Sequence, residues 1–382
     1  MTALVPFGEG VEIILEAGGE PLRLCYQCGL CTAICPWNLV RSFSVRKIIR
    51  QSQLGLVDFE AEEPWLCTSC HACVDRCPRG VEIIDIMRAL RRAMMGLGFG
   101  HVPDALHSAL MNILGTGNPF REAREKRAEW AKGRDIKGFT RGTDFLYFPC
   151  CVPAYDSRTQ RVAQAASDVL TRAGVDFGIL GAEENCCGES VRKAGDESLF
   201  QSLAQGNIRT FTERGVFKIL VSSPHCYYTF KNEYSELGAN FEVIHFTQYL
   251  SELIEQEKVK FSKGLNKRVV YHDPCYLGRH SGVYEEPRYV LKSIPGLELV
   301  EMRDSREEGL CCGGGGGRIW METKKGERFS DIRLGQAVEA GAEVLAVACP
   351  YCMLNLEDSL LTSNNVNTLE IKDISELVRE AL

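Results

Sequence analysis

Four absences bound the chain before any of its motifs is considered. No apolar run approaches the roughly 20 residues that cross a bilayer. The opening stretch MTALVPFGEGVEIILEAGGE is acidic and lacks the basic region and apolar core of an export signal. The expected location is therefore the cytoplasm, peripheral to a membrane only through a partner. There is no basic arm or aromatic–basic stripe, and 44 Lys and Arg against 51 Asp and Glu leave a net charge of −7, a poor match to nucleic acid. No GxGxxG follows a first strand, and no flavin or nicotinamide fingerprint appears, so two-electron donors have to be handled by a partner protein.

What the chain does have is 18 cysteines in 382 residues. Without an export signal these are hard to read as disulfides, because a reducing cytosol keeps thiols reduced. Disulfide scaffolds also belong mostly to small secreted domains. This chain has the length for two or three domains and a hydrophobic share of 45%, enough to build ordinary cores. Metal or redox chemistry remains.

Eight cysteines fall in two runs, CYQCGLCTAICP with Cys25, Cys28, Cys31 and Cys35, and CTSCHACVDRCP with Cys67, Cys70, Cys73 and Cys77. Three thiolates spaced by two residues wrap one cubane [4Fe–4S] cluster, and the fourth, carried into the following helix, ligates the other cluster. Cluster one is assigned Cys25, Cys28, Cys31 and Cys77; cluster two is assigned Cys67, Cys70, Cys73 and Cys35. Gly29, Thr32, Ser69 and Ala72 between them are small or turn-compatible, leaving backbone N–H groups free to donate to cluster sulfurs. Zinc motifs instead pair two short knuckles across a long gap. His71 reads as a surface residue beside the second loop, since four thiolates already suffice.

Around these runs, Val45, Ile48 and Ile49, then Ile83, Ile84, Met87 and Leu90, recur at helical spacing, so residues 1–95 read as an all-α domain with two cubane clusters. Residues 96–142 turn Gly-rich and then highly charged (REAREKRAEWAKGRD) and read as a linker. Short β-rich runs such as DFLYF, FGIL and FKILVS then alternate with helical stretches, the pattern of α/β units on a parallel sheet. The order repeats: RVVYHDPC answers DFLYFPCC, Cys311-Cys312-Gly313 answers Cys186-Cys187-Gly188, and CPYC at 349–352 answers SPHC at 223–226, about 125 residues apart. A duplication of this period means two homologous domains, 143–265 and 266–382.

In CYQCGLCTAICP, RKIIRQSQLG, CTSCHACVDRCPRGVEI, YHDPCYLGRH, LCCGGGGGRIWME and ACPYCMLNLED the chain resembles the heterodisulfide reductases, specifically their D-type subunit, in which a small ferredoxin-like part precedes two cysteine-rich CCG domains. The resemblance implies an α+β multidomain protein: an all-α ferredoxin-like [4Fe–4S] domain followed by two homologous Rossmann-like α/β CCG domains. It also implies that a complete CCG domain binds a non-cubane [4Fe–4S] cluster through five cysteines, matched here by Cys275, Cys311, Cys312, Cys349 and Cys352. Adjacent cysteines fit one corner of a cubane poorly but can serve two parts of an opened cluster, and loops at the ends of parallel strands are where α/β sheets place ligands. The glycines 313–317 read as room for close backbone approach to cluster or substrate.

The first CCG domain departs from this pattern, because Ser223 stands where a cysteine belongs. Cys151, Cys186, Cys187 and Cys226 remain as metal ligands, with Cys150 next door; the offset from Cys275 favours Cys150, while the frame PxCxxxY from Cys151 to Tyr155 favours Cys151, which is preferred. A second non-cubane cluster, a cubane and zinc all stay open for this site. His272, Arg279 and His280 flank Cys275 and read as ordinary core or surface residues first, as proton or anion contacts second.

Two functions follow from the resemblance. One is an oxidoreductase subunit that passes single electrons between a flavin-containing or cytochrome partner and another low-potential enzyme, such as an acyl-CoA reductase. The other is a catalytic disulfide or heterodisulfide reductase working at the non-cubane cluster. Ser223 tips the reading toward the relay, and exposed cubanes imply oxygen sensitivity and an anaerobic host.

Overall fold

The structure is a computed structural model and describes residues 6–97, 101–363 and 368–382; the start of the connecting segment, at 98–100, lies outside the described residues. The chain divides into two compact units, neither continuous in sequence. The first contains Met1–Ser108, Ser190–Phe200 and Gly313–Phe329; the second contains Ala109–Glu189, Gln201–Cys312 and Ser330–Leu382.

The first unit takes its regular structure from helices. Val45–Gln53 begins at Ser44, whose hydroxyl accepts from the Lys47 N–H, and buries Val45 and Ile49. Ile83–Leu97 buries Ile83, Ile84, Ile86, Met87, Leu90 and Met94, an apolar face recurring every three or four residues. The cysteine-bearing helices Leu30–Ile34 and Ala72–Asp75 are single turns, and prolines at 36 and 78 follow the last cysteine of each run. Trp37, behind the first proline, donates its Nε1–H to the Leu66 carbonyl at 2.5 Å and meets Phe329 edge-on at 4.9 Å.

The second unit carries two four-stranded sheets. The strands are β1 Phe145–Phe148, β2 Phe177–Gly178, β3 Lys218–Val221, β4 Glu242–His245, β5 Arg268–Tyr271, β6 Glu298–Val300, β7 Val344–Val347 and β8 Glu370–Asp373. Their orders are β2-β1-β3-β4 and β6-β5-β7-β8, with every pair parallel, so the second sheet repeats the first. In β1 and β7 every residue is buried, which is the unbroken apolar pattern of a strand covered on both faces. One core spans both sheets, from Tyr147, Ala166, Leu220 and Leu250 to Val269, Leu291, Ala346 and Leu377. Among the described residues no helix is long and apolar enough to cross a membrane.

Candidate functional site

In the first unit, Cys35, Cys67, Cys70 and Cys73 line one enclosed cavity with Trp37, Phe43, Ile83, Ile84 and Met87. Burial, then the proximity of Cys70, Cys67 and Cys35, pushes the Cys73 thiol well above its ordinary value. Sulfurs gathered in one apolar cavity need a bound cation to become thiolates together, and this donor set fits a cubane cluster. The other loop is more open. Cys31 is raised by burial and by Cys25 and Cys28, while Cys28 itself is exposed. The Cys77 sulfur accepts from the Val81 N–H at 3.3 Å.

The two loops share a backbone device. Gln27 and Gly29 in the first, Ser69 and His71 in the second, all have positive φ, at 69°, 90°, 47° and 71°. Three of them are not glycine, and left-handed strain of this kind persists where the surroundings fix it, typically at functional sites. In the second loop it turns the Ser69 N–H onto Cys67 Sγ at 3.4 Å, and in the first the Gln27 side chain donates to Cys25 Sγ at 3.5 Å. His71 spends its Nδ1 on Asp75 at 2.8 Å, in keeping with a side chain outside the ligand set.

Behind the second loop lies Arg91, a residue the amphipathic pattern alone assigns no task. It is 2% exposed, and its guanidinium donates to the carbonyls of Pro64, Cys67, Lys193 and Gly316 at 2.7–3.0 Å. The glycine run reaches the same place: a Cβ on Gly315 would collide with the Thr68 carbonyl, and one on Gly316 with that of Cys67. The glycines therefore do permit close approach, and the partner is the backbone of the loop that bears Cys67 and Cys70.

In the second unit all ten cysteines are at most 7% exposed. Cys275 follows β5 and Cys311-Cys312 follow β6, while Cys349 caps the helix Pro350–Leu361 after β7 and Cys352 sits in its first turn. Cys275 is within hydrogen-bonding reach of Cys311, and Cys352 of both Cys312 and Cys349. Burial alone would raise Cys349, but hydrogen bonds from Cys352 and His225 draw it down to about 5. His225 belongs to the SPHC turn of the first half. Its Nδ1 lies 3.0 Å from the Glu189 carboxylate, and its ring stands 4.0 Å from Tyr276 and 4.5 Å from Tyr351. Burial would lower this imidazole, yet Glu189 and Cys349 raise it to about 10. No sequence spacing announces that contact.

His272 has a ligand atom within 4.8 Å of the sulfurs of Cys312 and Cys352, and its Nδ1 accepts from Arg333 Nε at 3.2 Å. Burial and then the Arg333 charge lower it to about 3, so it is a neutral imidazole. Arg279 donates to the Gly309 carbonyl at 2.7 Å, tying down the approach to the cysteine pair, and His280 stacks on Tyr276 at 4.1 Å.

In the first half, Cys151 opens the helix Cys151–Tyr155 and reaches Cys186, while Cys226 donates to Cys187 at 3.5 Å. Burial opposes ionisation of Cys187, but Cys186 and Cys226 bring it to about 7. Ser223 caps the helix Pro224–Tyr228 just as Cys349 caps its counterpart. Arg127, from the charged connecting segment, is buried against this site, with Nε on Glu184 at 2.9 Å and Nη1 on Cys151 Sγ at 3.4 Å. Burial lifts Glu184 above the usual carboxylate range while Arg127 pulls against it, so the pair depends on staying together.

Comparison with known proteins places these sites in context. Residues 24–82 match the model of a 4Fe-4S dicluster domain, and residues 145–231 and 269–357 each match that of the CCG cysteine-rich domain. The chain is 36% identical over 336 residues to the EtfAB:quinone oxidoreductase of Syntrophomonas wolfei, covering 84% of this chain and 47% of that protein. It is 34% identical over 402 residues to a protein of Chromohalobacter salexigens named "Probable membrane-anchored ferredoxin", covering 94% of this chain and 59% of that one. It thus spans about half the length of these relatives. Against the D-type subunit of the dihydromethanophenazine:CoB--CoM heterodisulfide reductase of Methanosarcina barkeri it is 33% identical over 394 residues, covering 94% of each chain.

Proposed function

Because the chain belongs to the family of the D-type heterodisulfide reductase subunits, we propose that it is an iron–sulfur protein that relays single electrons between a flavin-containing or cytochrome partner and another low-potential enzyme. Cys25, Cys28, Cys31 and Cys77 hold one cubane cluster, Cys67, Cys70, Cys73 and Cys35 a second, and Cys275, Cys311, Cys312, Cys349 and Cys352 a non-cubane cluster. Such clusters supply one-electron steps at potentials set by hydrogen bonds, burial and charge. The observation that carries the reading is the glycine run. Gly315 and Gly316 lie on the backbone of Thr68 and Cys67, Arg91 binds the carbonyls of Cys67 and Gly316 together, and three residues back along the same stretch of chain is Cys312. A few covalent bonds thus link the surroundings of a cubane site to a thiol of the C-terminal site.

The names of the relatives support a flavin-side partner, since EtfAB and a quinone stand in one of them and a heterodisulfide in another. A membrane-anchored relative supports attachment to a membrane through a partner. Reduction of a disulfide at the C-terminal site is the second reading, favoured by His225, which brings a hydrogen-bonding ring against Cys349. Mixing the anaerobic, dithionite-reduced chain with a heterodisulfide decides between them. The relay predicts no thiol release but fast oxidation by a flavin-containing electron carrier; thiol release at a rate matching cluster oxidation would overturn it.

A further inference from the structure

The two cysteine-rich halves string their sulfurs in the same order. In the second half Cys275 meets Cys311, Cys312 adjoins it in the chain, and Cys352 meets Cys312 on one side and Cys349 on the other. In the first half Cys151 meets Cys186, Cys186 meets Cys187, Cys187 meets Cys226, and Cys226 meets Cys150. The sequence repeat puts Ser223 at the end of this string, opposite Cys349. In space the sulfur beyond Cys226 is that of Cys150.

The backbone shows that this placement is forced. Cys150 has φ 82° and ψ 162°, a region that is essentially reserved for glycine and that a cysteine enters only when its surroundings hold it there. Its counterpart in the second half, Pro274, precedes Cys275 without such strain. The distortion sits in the half that lacks a cysteine at the cap. Ser223 itself is fully buried, and its hydroxyl makes no hydrogen bond among the described residues.

We infer that Cys150 is the fifth thiolate of an iron–sulfur cluster in the first half, bound with Cys151, Cys186, Cys187 and Cys226, and that it fills the place Cys349 has in the second. Five thiols in a string do not suit a lone zinc ion, whose four sulfurs sit roughly 3.8 Å apart around one centre given a Zn–S bond of about 2.3 Å. Among the described residues the trio whose ligand atoms all fall within 4.8 Å of one another is His272, Cys312 and Cys352, in the other half. Arg127, on the Cys151 sulfur at 3.4 Å, puts a fixed positive charge at one end of the array, where an added thiolate needs it. The inference rests on the family reading only in taking iron and sulfide as the occupant, and holds whether the chain relays electrons or reduces a disulfide.

The test is iron and sulfide content with Mössbauer and low-temperature EPR spectra, on the full chain reconstituted without oxygen. The wild type is expected to hold about 16 irons. Cys150→Ser is expected to lose about four with the N-terminal cubane signals unchanged, and adding Ser223→Cys to it is expected to restore them. A wild type with about 12 irons, a Cys150→Ser variant that keeps its full complement, or a double variant that regains no iron would each overturn the inference. The cubane signals report folding of the chain in every variant, and thiol release from a heterodisulfide, which tests the relay, leaves the iron count untouched.

Discussion

The two cysteine-rich halves are built on one backbone plan and differ in where their buried charge comes from. Both sheets have the same strand order, and in both the last strand hands over to a helix through a capping box, His245 with Gln248 in the first and Asp373 with Glu376 in the second. The second half supplies its own cation. Arg288, from its own helix Glu285–Ser293, grips Asp273 at 2.7 and 2.9 Å and Glu301 at 2.6 and 2.9 Å. The first half borrows Arg127 from the segment before β1 and sets it directly on a cysteine sulfur. Duplication copied the loops that deliver thiols; it did not copy the electrostatics around them.

The strongest way to break this contrast is to remove the two arginines in turn. Arg127→Leu leaves Glu184 buried without its partner, and a loss of ~3–5 kcal/mol is expected in chemical denaturation of the iron-free chain. Glu184→Gln in the same chain is expected to recover part of it. Arg288→Leu is expected to cost a similar amount through Asp273. A neutral Arg127→Leu would mean that the first half does not depend on its borrowed cation.

The paired caps sharpen the comparison through pH, because they respond in opposite directions. Burial draws His245 down to about 3, so the unfolded chain binds the extra proton below its ordinary value of 6.5, and the stability this residue contributes is lost as pH falls from there toward 3. Burial pushes Asp373 up to about 7, so its contribution is complete below 3.8 and is lost as pH rises through 7. Each amounts to about 4–5 kcal/mol over its full window. Melting curves from pH 4 to 8 check this: His245→Asn should flatten the acid limb and Asp373→Asn the neutral limb, both keeping a cap acceptor. The smallest effect tests what joins the halves. Arg158 of the first pairs with Glu357 at 2.7 Å and Glu376 at 2.9 Å, about a quarter exposed, and Arg158→Gln should cost ~1 kcal/mol, less at high salt.

Much of this was legible in the sequence where the signal is local. The spacing of eight cysteines in two runs pointed to two clusters because ligands two residues apart must share one loop. Alternating apolar runs and helical stretches pointed to the parallel sheets, and the repeat to their common order. What stayed hidden depends on contacts between distant residues. Arg91 reads as one more basic residue in MRALRRAM, yet it binds carbonyls at 193 and 316. Arg127 sits in a run that looks solvated, and His225 in a turn whose visible departure from the repeat is its serine. For Cys150 and Cys151 an offset competes with a frame, and sequence offers no third signal, because the neighbours each sulfur meets, Cys226 for Cys150 and Cys186 for Cys151, are distant in the chain.

The interleaving of the first unit bears on how the protein is made. Its two cysteine loops are translated by residue 77, but Gly315 and Gly316, which lie against the Thr68 and Cys67 backbone, and Phe329, which packs on Trp37, emerge some 240–250 residues later. Contacts of such high sequence separation form late on a growing chain. The ribosome therefore releases the cluster loops long before their walls exist, and iron delivery to them has to wait for the whole chain or rely on a carrier that shields the open thiols in the meantime.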